Sequence, residues 1–239
     1  MNSFNYYNIF ETKGIEYIAI ISFFIILIPF WILLNKKGFI KQKIQKVLSI
    51  LSFDILKIPQ GIFLGKNHTW VFLEKSGIAL LGLDDFLLHT TGEVELINYK
   101  NPGENILKGD LLTEVIKGDK HLKIFSPISG KIMHSNTQLS EMPQLLNEDP
   151  FGKGWIYKVK PSKWIDETQC CYLAEDAVNW SKTEMQRFKD FLAQSNRKYS
   201  PESSLVVLQD GGELIDHTLS ELPNPIWQDF QESFLNFKD

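Results

Sequence analysis

Cysteine is scarce: only two of the 239 residues carry a thiol, side by side at Cys170 and Cys171. Adjacent cysteines strain an intrachain disulfide, so no disulfide framework holds this fold; a reducing compartment is favoured and both side chains read as buried or idle thiols. A surplus of one charge sign is also missing. Twenty-five basic against 29 acidic residues leave a net −4, without the basic excess of a duplex nucleic-acid binder, so no nucleic-acid partner is expected. His68, His89, His121, His134 and His217 are scattered, and neither Cys-x-x-Cys nor His-Glu-x-x-His occurs, so the spacing points to no metal site. Glycine-rich phosphate loops and Gly-x-Ser-x-Gly elbows are absent too. With no nucleophile–base set, the chain is not expected to be an enzyme. The loop Asn147-Glu148-Asp149-Pro150 offers two carboxylates, read here as a structural turn or partner-facing surface rather than acid–base machinery.

A long apolar run, by contrast, is present. Tyr17 to Leu34 reads YIAIISFFIILIPFWILL, eighteen uncharged residues that span about 27 Å as a helix, enough to cross a bilayer. A cleaved signal peptide would place basic residues before the run and a small-residue cleavage site after it. Here the preceding flank holds Glu11, Lys13 and Glu16, and no such site follows Leu34. Pro29 is tolerated within a span. Lys36, Lys37, Lys41, Lys43 and Lys46 follow directly, with no acid before Asp54. The positive-inside rule therefore puts everything after Asn35 in the cytoplasm. From Phe39 to Leu56, Ile40, Ile44, Val47, Leu48 and Leu51 keep a helical period. This basic amphipathic helix either lies on the inner leaflet or extends the anchor as a stalk, or else packs on the domain that follows.

Past Pro59 the period shortens to strands broken by turn residues, as in a small sandwich or flattened barrel. Residues 70–73 and 78–81 read as a hairpin, Asp84 as the cap of a short helix through Leu88, and 93–97 as a strand ended by Asn101-Pro102-Gly103. Residues 111–116 and 121–125 flank Lys117-Gly118-Asp119-Lys120. Gly at the first central position predicts a type II′ hairpin.

Seven motifs stand in order across this region: His68-Thr69-Trp70-Val71; Gly82-Leu83-Asp84-Asp85-Phe86; Gly92-Glu93-Val94; Pro102-Gly103; Gly109-Asp110; Ser126-Pro127-Ile128-Ser129-Gly130; and the run from Leu146 to Trp155. Together they resemble the H protein of the glycine cleavage system and, more broadly, lipoyl and biotinyl carrier domains, over about Gly65 to Lys163. The resemblance implies a mainly β fold, a flattened barrel or sandwich of two small antiparallel sheets. It also implies lipoic acid in amide linkage to a lysine at a hairpin apex, a swinging arm that shuttles a bound aminomethyl group between partner enzymes.

The chain departs from that pattern at the apex. Counting forward from Gly109-Asp110 or back from Ser126-Pro127 places Asp119 where the family has its lysine, and a carboxylate cannot be acylated. The family's glycine eleven residues after the modified lysine is matched by Gly130 only if the site is 119; Lys120 stands ten residues before it and Lys117 thirteen. On one reading the chain carries no cofactor and acts as a non-enzymatic scaffold or adaptor. On the other, Lys120 or Lys117 binds lipoic acid and the protein is a membrane-tethered carrier of groups or electrons. In a Gly-Asp turn both lysines are paired strand-end residues rather than the apex.

The remaining 75 residues are of another kind. From Asp166 onward fourteen acids face six bases, a balance of −8 against the whole chain's −4. An amphipathic helix is expected over 175–194, short strands over 205–208 and 213–217, and a last helix capped by Asn224 with Pro225 first. Such a unit either packs on the barrel or offers an acidic surface to a protein partner. The expected organisation is thus an extracytoplasmic tail (1–16), a transmembrane helix (17–35), a basic stalk (36–58), the H-like domain (59–164) and an acidic α+β extension (165–239).

Overall fold

The computed structural model describes residues 9–35, 50–199 and 214–235, with side chains of the first stretch over 17–31. Residues 1–48 and 49–239 are two separate compact units. In the first, helix α1 runs Ile9–Asn35 with Pro29 inside it, and its side chains over 17–31 are exposed. Among the described residues no helix is long and apolar enough to cross a membrane. Most of the expected stalk helix lies outside the described residues. Its C-terminal end is not helical, because Ile50–Leu51 forms strand β1 and Phe53–Ile55 a 3-10 turn.

The second unit is mainly β. Its further strands are β2 (Phe63–Leu64), β3 (Thr69–Leu73), β4 (Ala79–Leu83), β5 (Glu95–Asn98), β6 (Asn105–Ile106), β7 (Leu111–Lys117), β8 (Lys120–Phe125), β9 (Gly130–Ser135), β10 (Tyr157–Pro161) and β11 (Leu214–Ile215). One sheet has the order β2-β3-β4-β10-β9-β6, a second β5-β7-β8, and β1 pairs with β11 in a third of two strands, all antiparallel. Alternation decides which side of each strand faces inward: on β8, Leu122 and Ile124 are buried while His121 and Lys123 are exposed. The β3–β4 pair sets Trp70 opposite Gly82, and a Cβ at Gly82 would lie 2.6 Å from the indole. Only glycine lets that buried ring lie against the sheet.

Helix α2 (Asp85–Thr91) follows β4, capped by Asp84, whose Oδ1 accepts from the Leu87 N–H at 2.8 Å. Two four-residue helices, α3 (Gln138–Glu141) and α4 (Leu145–Glu148), lead to the loop in which Asp149 accepts from the Gly152 and Lys153 amides. That loop is built as a turn. Helix α5 (Trp164–Thr168) then precedes α6 (Glu175–Tyr199).

Ala177, Trp180, Glu184, Met185, Phe188, Phe191 and Leu192 are buried along one face of α6. Thr218–Glu221 (α7) and Asn224–Asp229 (α8) lead into a π-helical turn over Phe230–Leu235. Pro223, not Asn224, takes the cap position of α8, since Asn224 already has helical geometry. The expected strand over 205–208 lies outside the described residues. The return strand is shorter than expected and pairs β11 with β1, far back in the chain. Phe188, Leu192, Trp227, Phe230 and Phe234 share one buried cluster with barrel residues Val115, Leu122 and Ile124. Each such aromatic contributes about 1.5–3 kcal/mol by burial, so the C-terminal segment is packed onto the barrel rather than appended to it.

Candidate functional site: the hairpin tip and its cover

The tip of the β7–β8 hairpin is a two-residue turn with Lys117 paired to Lys120. Gly118 has φ +62°, and Asp119 is not among the residues of positive φ. That combination is type II′, the turn whose twist matches the strands it joins. Gly118 and Asp119 are exposed, whereas Lys117 and Lys120 are half-buried. Asp119 therefore occupies the apex, and the lysines its two shoulders.

Both ammonium groups are engaged. Lys117 Nζ donates to the carbonyls of Thr91 (3.3 Å) and Glu93 (3.1 Å); Thr91 ends α2, where free carbonyls and the helix dipole favour a cation. Lys120 Nζ donates to the Ser220 carbonyl at 2.7 Å and sits 5.8 Å from the centre of the Trp227 ring. Asn224 Nδ2 donates to the Asp119 carbonyl at 3.2 Å, and the Lys123 amide donates to Gln231 Oε1 at 2.6 Å. The Trp227 indole is fixed in turn by donating to Leu219 O at 2.7 Å. One shoulder of the tip is thus roofed by α7, α8 and the turn that follows. Nothing in the local sequence of the hairpin announces this cover, because its partners lie about a hundred residues away.

A second device locks the cover in place. His68, in a left-handed backbone conformation (φ +57°) and fully buried, has Nδ1 2.8 Å from Asp84 Oδ2. On its other side Nε2 lies 3.4 Å from Glu184 Oε2 of α6, a charge contact too poorly aligned to be a hydrogen bond. Arg187 clasps Glu184 through Nε and Nη2, donates to Phe234 O at 3.1 Å, and lays its guanidinium 3.7 Å from the Phe234 ring centre. The imidazole stacks on Phe86 and Phe234. Burial alone would lower the His68 pKa; the charge and hydrogen bond of Asp84, with Glu184 behind it, outweigh that and hold it at about 9. Burial would raise the Glu184 pKa, but His68 and Arg187 keep it below the ordinary carboxylate value. The result is a neutralised quartet, Asp84–His68–Glu184–Arg187, that joins barrel, α6 and C-terminal turn.

Other sequence candidates fall elsewhere. Cys170 is exposed and Cys171 half-buried, so they are not buried thiols; burial raises the Cys171 pKa, partly offset by Lys108. They line a cleft of about 310 Å³ with Lys66, Lys108 and Ser126. His121 is a surface strand residue near Glu114, as expected. Three dispersed residues are brought together: His89 of α2, Asp216 and His217, whose ligand-type atoms lie within 4.8 Å of one another. Their separation of 127 positions hid this grouping from any spacing rule.

The glycine cleavage H-protein family model matches residues 63–184, just over half of the chain and reaching into α6. A probable glycine cleavage system H protein from Pyrococcus horikoshii is 31% identical over 127 residues, 53% of this chain and 94% of that protein. The glycine cleavage system H protein of Carboxydothermus hydrogenoformans is 32% identical over 105 residues, 44% of this chain and 80% of its own. A crystal structure of a glycine cleavage system H protein from Mycobacterium marinum aligns with 24% identity and a TM-score of 0.41, covering 44% of this chain and 87% of that one. On the extent of the family match, and with a mainly antiparallel β fold consistent with it, the chain belongs to the glycine cleavage H-protein family.

Proposed function

We propose that this protein is a membrane-anchored, non-enzymatic member of the H-protein family in which the hairpin apex bears no lipoyl arm, and that it works as a scaffold or adaptor for protein partners. The observation that carries the proposal is Asp119 at an exposed type II′ apex with both neighbouring lysines tied to backbone carbonyls. Acylating Lys120 would turn a cation into a neutral amide, removing a charge-assisted hydrogen bond of about 1.5–3 kcal/mol and the contact with Trp227. The anchor rests on the uncharged run from Tyr17 to Leu34, and cytoplasmic placement of the rest on the five lysines after it. The acidic C-terminal region offers a basic protein surface something to meet.

Family membership favours a second reading, because the resemblance carries lipoic acid with it. Lys120, or Lys117, would then leave its carbonyl partners and hold the cofactor, and the protein would tether a lipoyl carrier to the membrane for the enzymes it serves. Intact-mass measurement of the full chain, made in cells with active lipoylation, separates the two. An unmodified mass is expected; one lipoyl group, abolished by Lys120→Ala or Lys117→Ala, would overturn the armless reading. A reporter fused after Asp239 that is active only outside the cytoplasm would overturn the orientation.

A further inference from the structure

His89, Asp216 and His217 are contributed by the C-terminal half of α2 and by the link between β11 and α7. His89 Nδ1 is 2.8 Å from Asp216 Oδ1, and His217 Nε2 is 3.6 Å from the same oxygen. Ligands about 2.0–2.2 Å from a tetrahedral zinc ion stand about 3.2–3.6 Å apart. The observed spacings bracket that range, so an ion could enter with shifts of well under an ångström between these pairs. We propose that these three residues form a binding site for a divalent transition ion of the zinc class, which bridges the barrel to its C-terminal cover.

Three further features suit the chemistry. The other nitrogen of His89, Nε2, faces Asp85 Oδ2 at 3.5 Å, and that oxygen also accepts from the Lys57 amide at 2.7 Å. A carboxylate behind a ligating imidazole orients the ring and raises its basicity. The His217 backbone is pinned, its N–H donating to His89 O at 2.7 Å, in a left-handed conformation with φ +59°. Its ring lies over Gly92, where a Cβ would come within 3.1 Å of it. Two imidazole nitrogens and one carboxylate oxygen form a borderline donor set, better matched to zinc than to calcium or magnesium. His89 and Asp216 side chains are about one-fifth exposed and His217 about half, which leaves a fourth position open to water. Lys117 Nζ, which shares the space above Gly92 with the His217 ring, is engaged by the carbonyls of Thr91 and Glu93. Metal at this site would tighten the segment that also supplies Ser220 and Trp227 to the hairpin tip.

The test uses the full chain in mild detergent, free of any histidine tag and stripped with EDTA, titrated with Zn²⁺ and separately with Co²⁺. One ion per chain is expected, weakened more than about 100-fold in His217→Gln, since loss of an outer-shell partner alone costs 10–100-fold. The exposed His134→Gln variant and a Cys170→Ser, Cys171→Ser double variant should bind as the parent does. Zn²⁺ should raise the thermal midpoint of the parent and not of His217→Gln, and Co²⁺ should give visible bands without a thiolate charge-transfer band. No bound metal, binding unaffected by His217→Gln, or a Co²⁺–thiolate band lost in the double cysteine variant would overturn the site.

Discussion

Glu184→Gln should loosen the C-terminal cover in a pH-dependent way. His68 faces Asp84 from the cap of α2, and Glu184, itself clasped by Arg187, from α6. Its pKa is about 9 in the folded protein against an ordinary 6.5. Between those values the folded state binds the extra proton, so stability is fully present below about pH 6.5 and is lost as pH rises through about 9. A shift of this size corresponds to about 3 kcal/mol across the window. Glu184 is the lesser of the two carboxylates acting on His68, so its share is on the order of 1 kcal/mol. The assay is urea unfolding of the full chain in detergent, followed by tryptophan fluorescence at pH 6, 7.5 and 9.5. Comparing parent with variant at each pH cancels the titration of groups the substitution leaves untouched. The parent should lose stability with rising pH, and the gap between parent and variant should narrow by about 1 kcal/mol. A gap that widens toward pH 9.5, or no gap at pH 6, would refute the argument that a buried imidazolium holds α6 to the barrel.

Trp227→Ala removes a fully buried ring and should cost about 3–5 kcal/mol. Hydrogen exchange should then accelerate at the amides of 117–125, which the ring helps to roof; unchanged protection there would mean the cover does not shield the tip. Gly82→Ala puts a methyl group into the Trp70 indole and should lower stability by about 1–3 kcal/mol, seen as a lower thermal midpoint and an altered near-ultraviolet tryptophan signal. A variant melting with the parent would show that the ring has room to move.

Much of the barrel was legible because its signals are local. Alternation along residues 111–125, glycine in the turn and Asp84 before α2 each act within a few positions. The covering of the hairpin apex was not legible. Ser220, Asn224 and Trp227 reach the tip through contacts about a hundred residues long in sequence, and no periodicity encodes a destination. His68 shows the same limit: its motif marked the family, but its second carboxylate comes from Glu184, 116 positions later. Leu51 keeps the helical period of the expected stalk, but tertiary pairing with β11 makes Ile50–Leu51 a strand.

On the proposed reading the apex carries a carboxylate where the family resemblance places a lysine, and the shoulder lysines are held out of use. Intact mass of the parent chain and of Asp119→Lys, both produced in cells with active lipoylation, tests it most directly. An unmodified parent and a single lipoyl group on the Asp119→Lys chain are expected. A lipoylated parent, with the group mapped to Lys120 or Lys117, would contradict it.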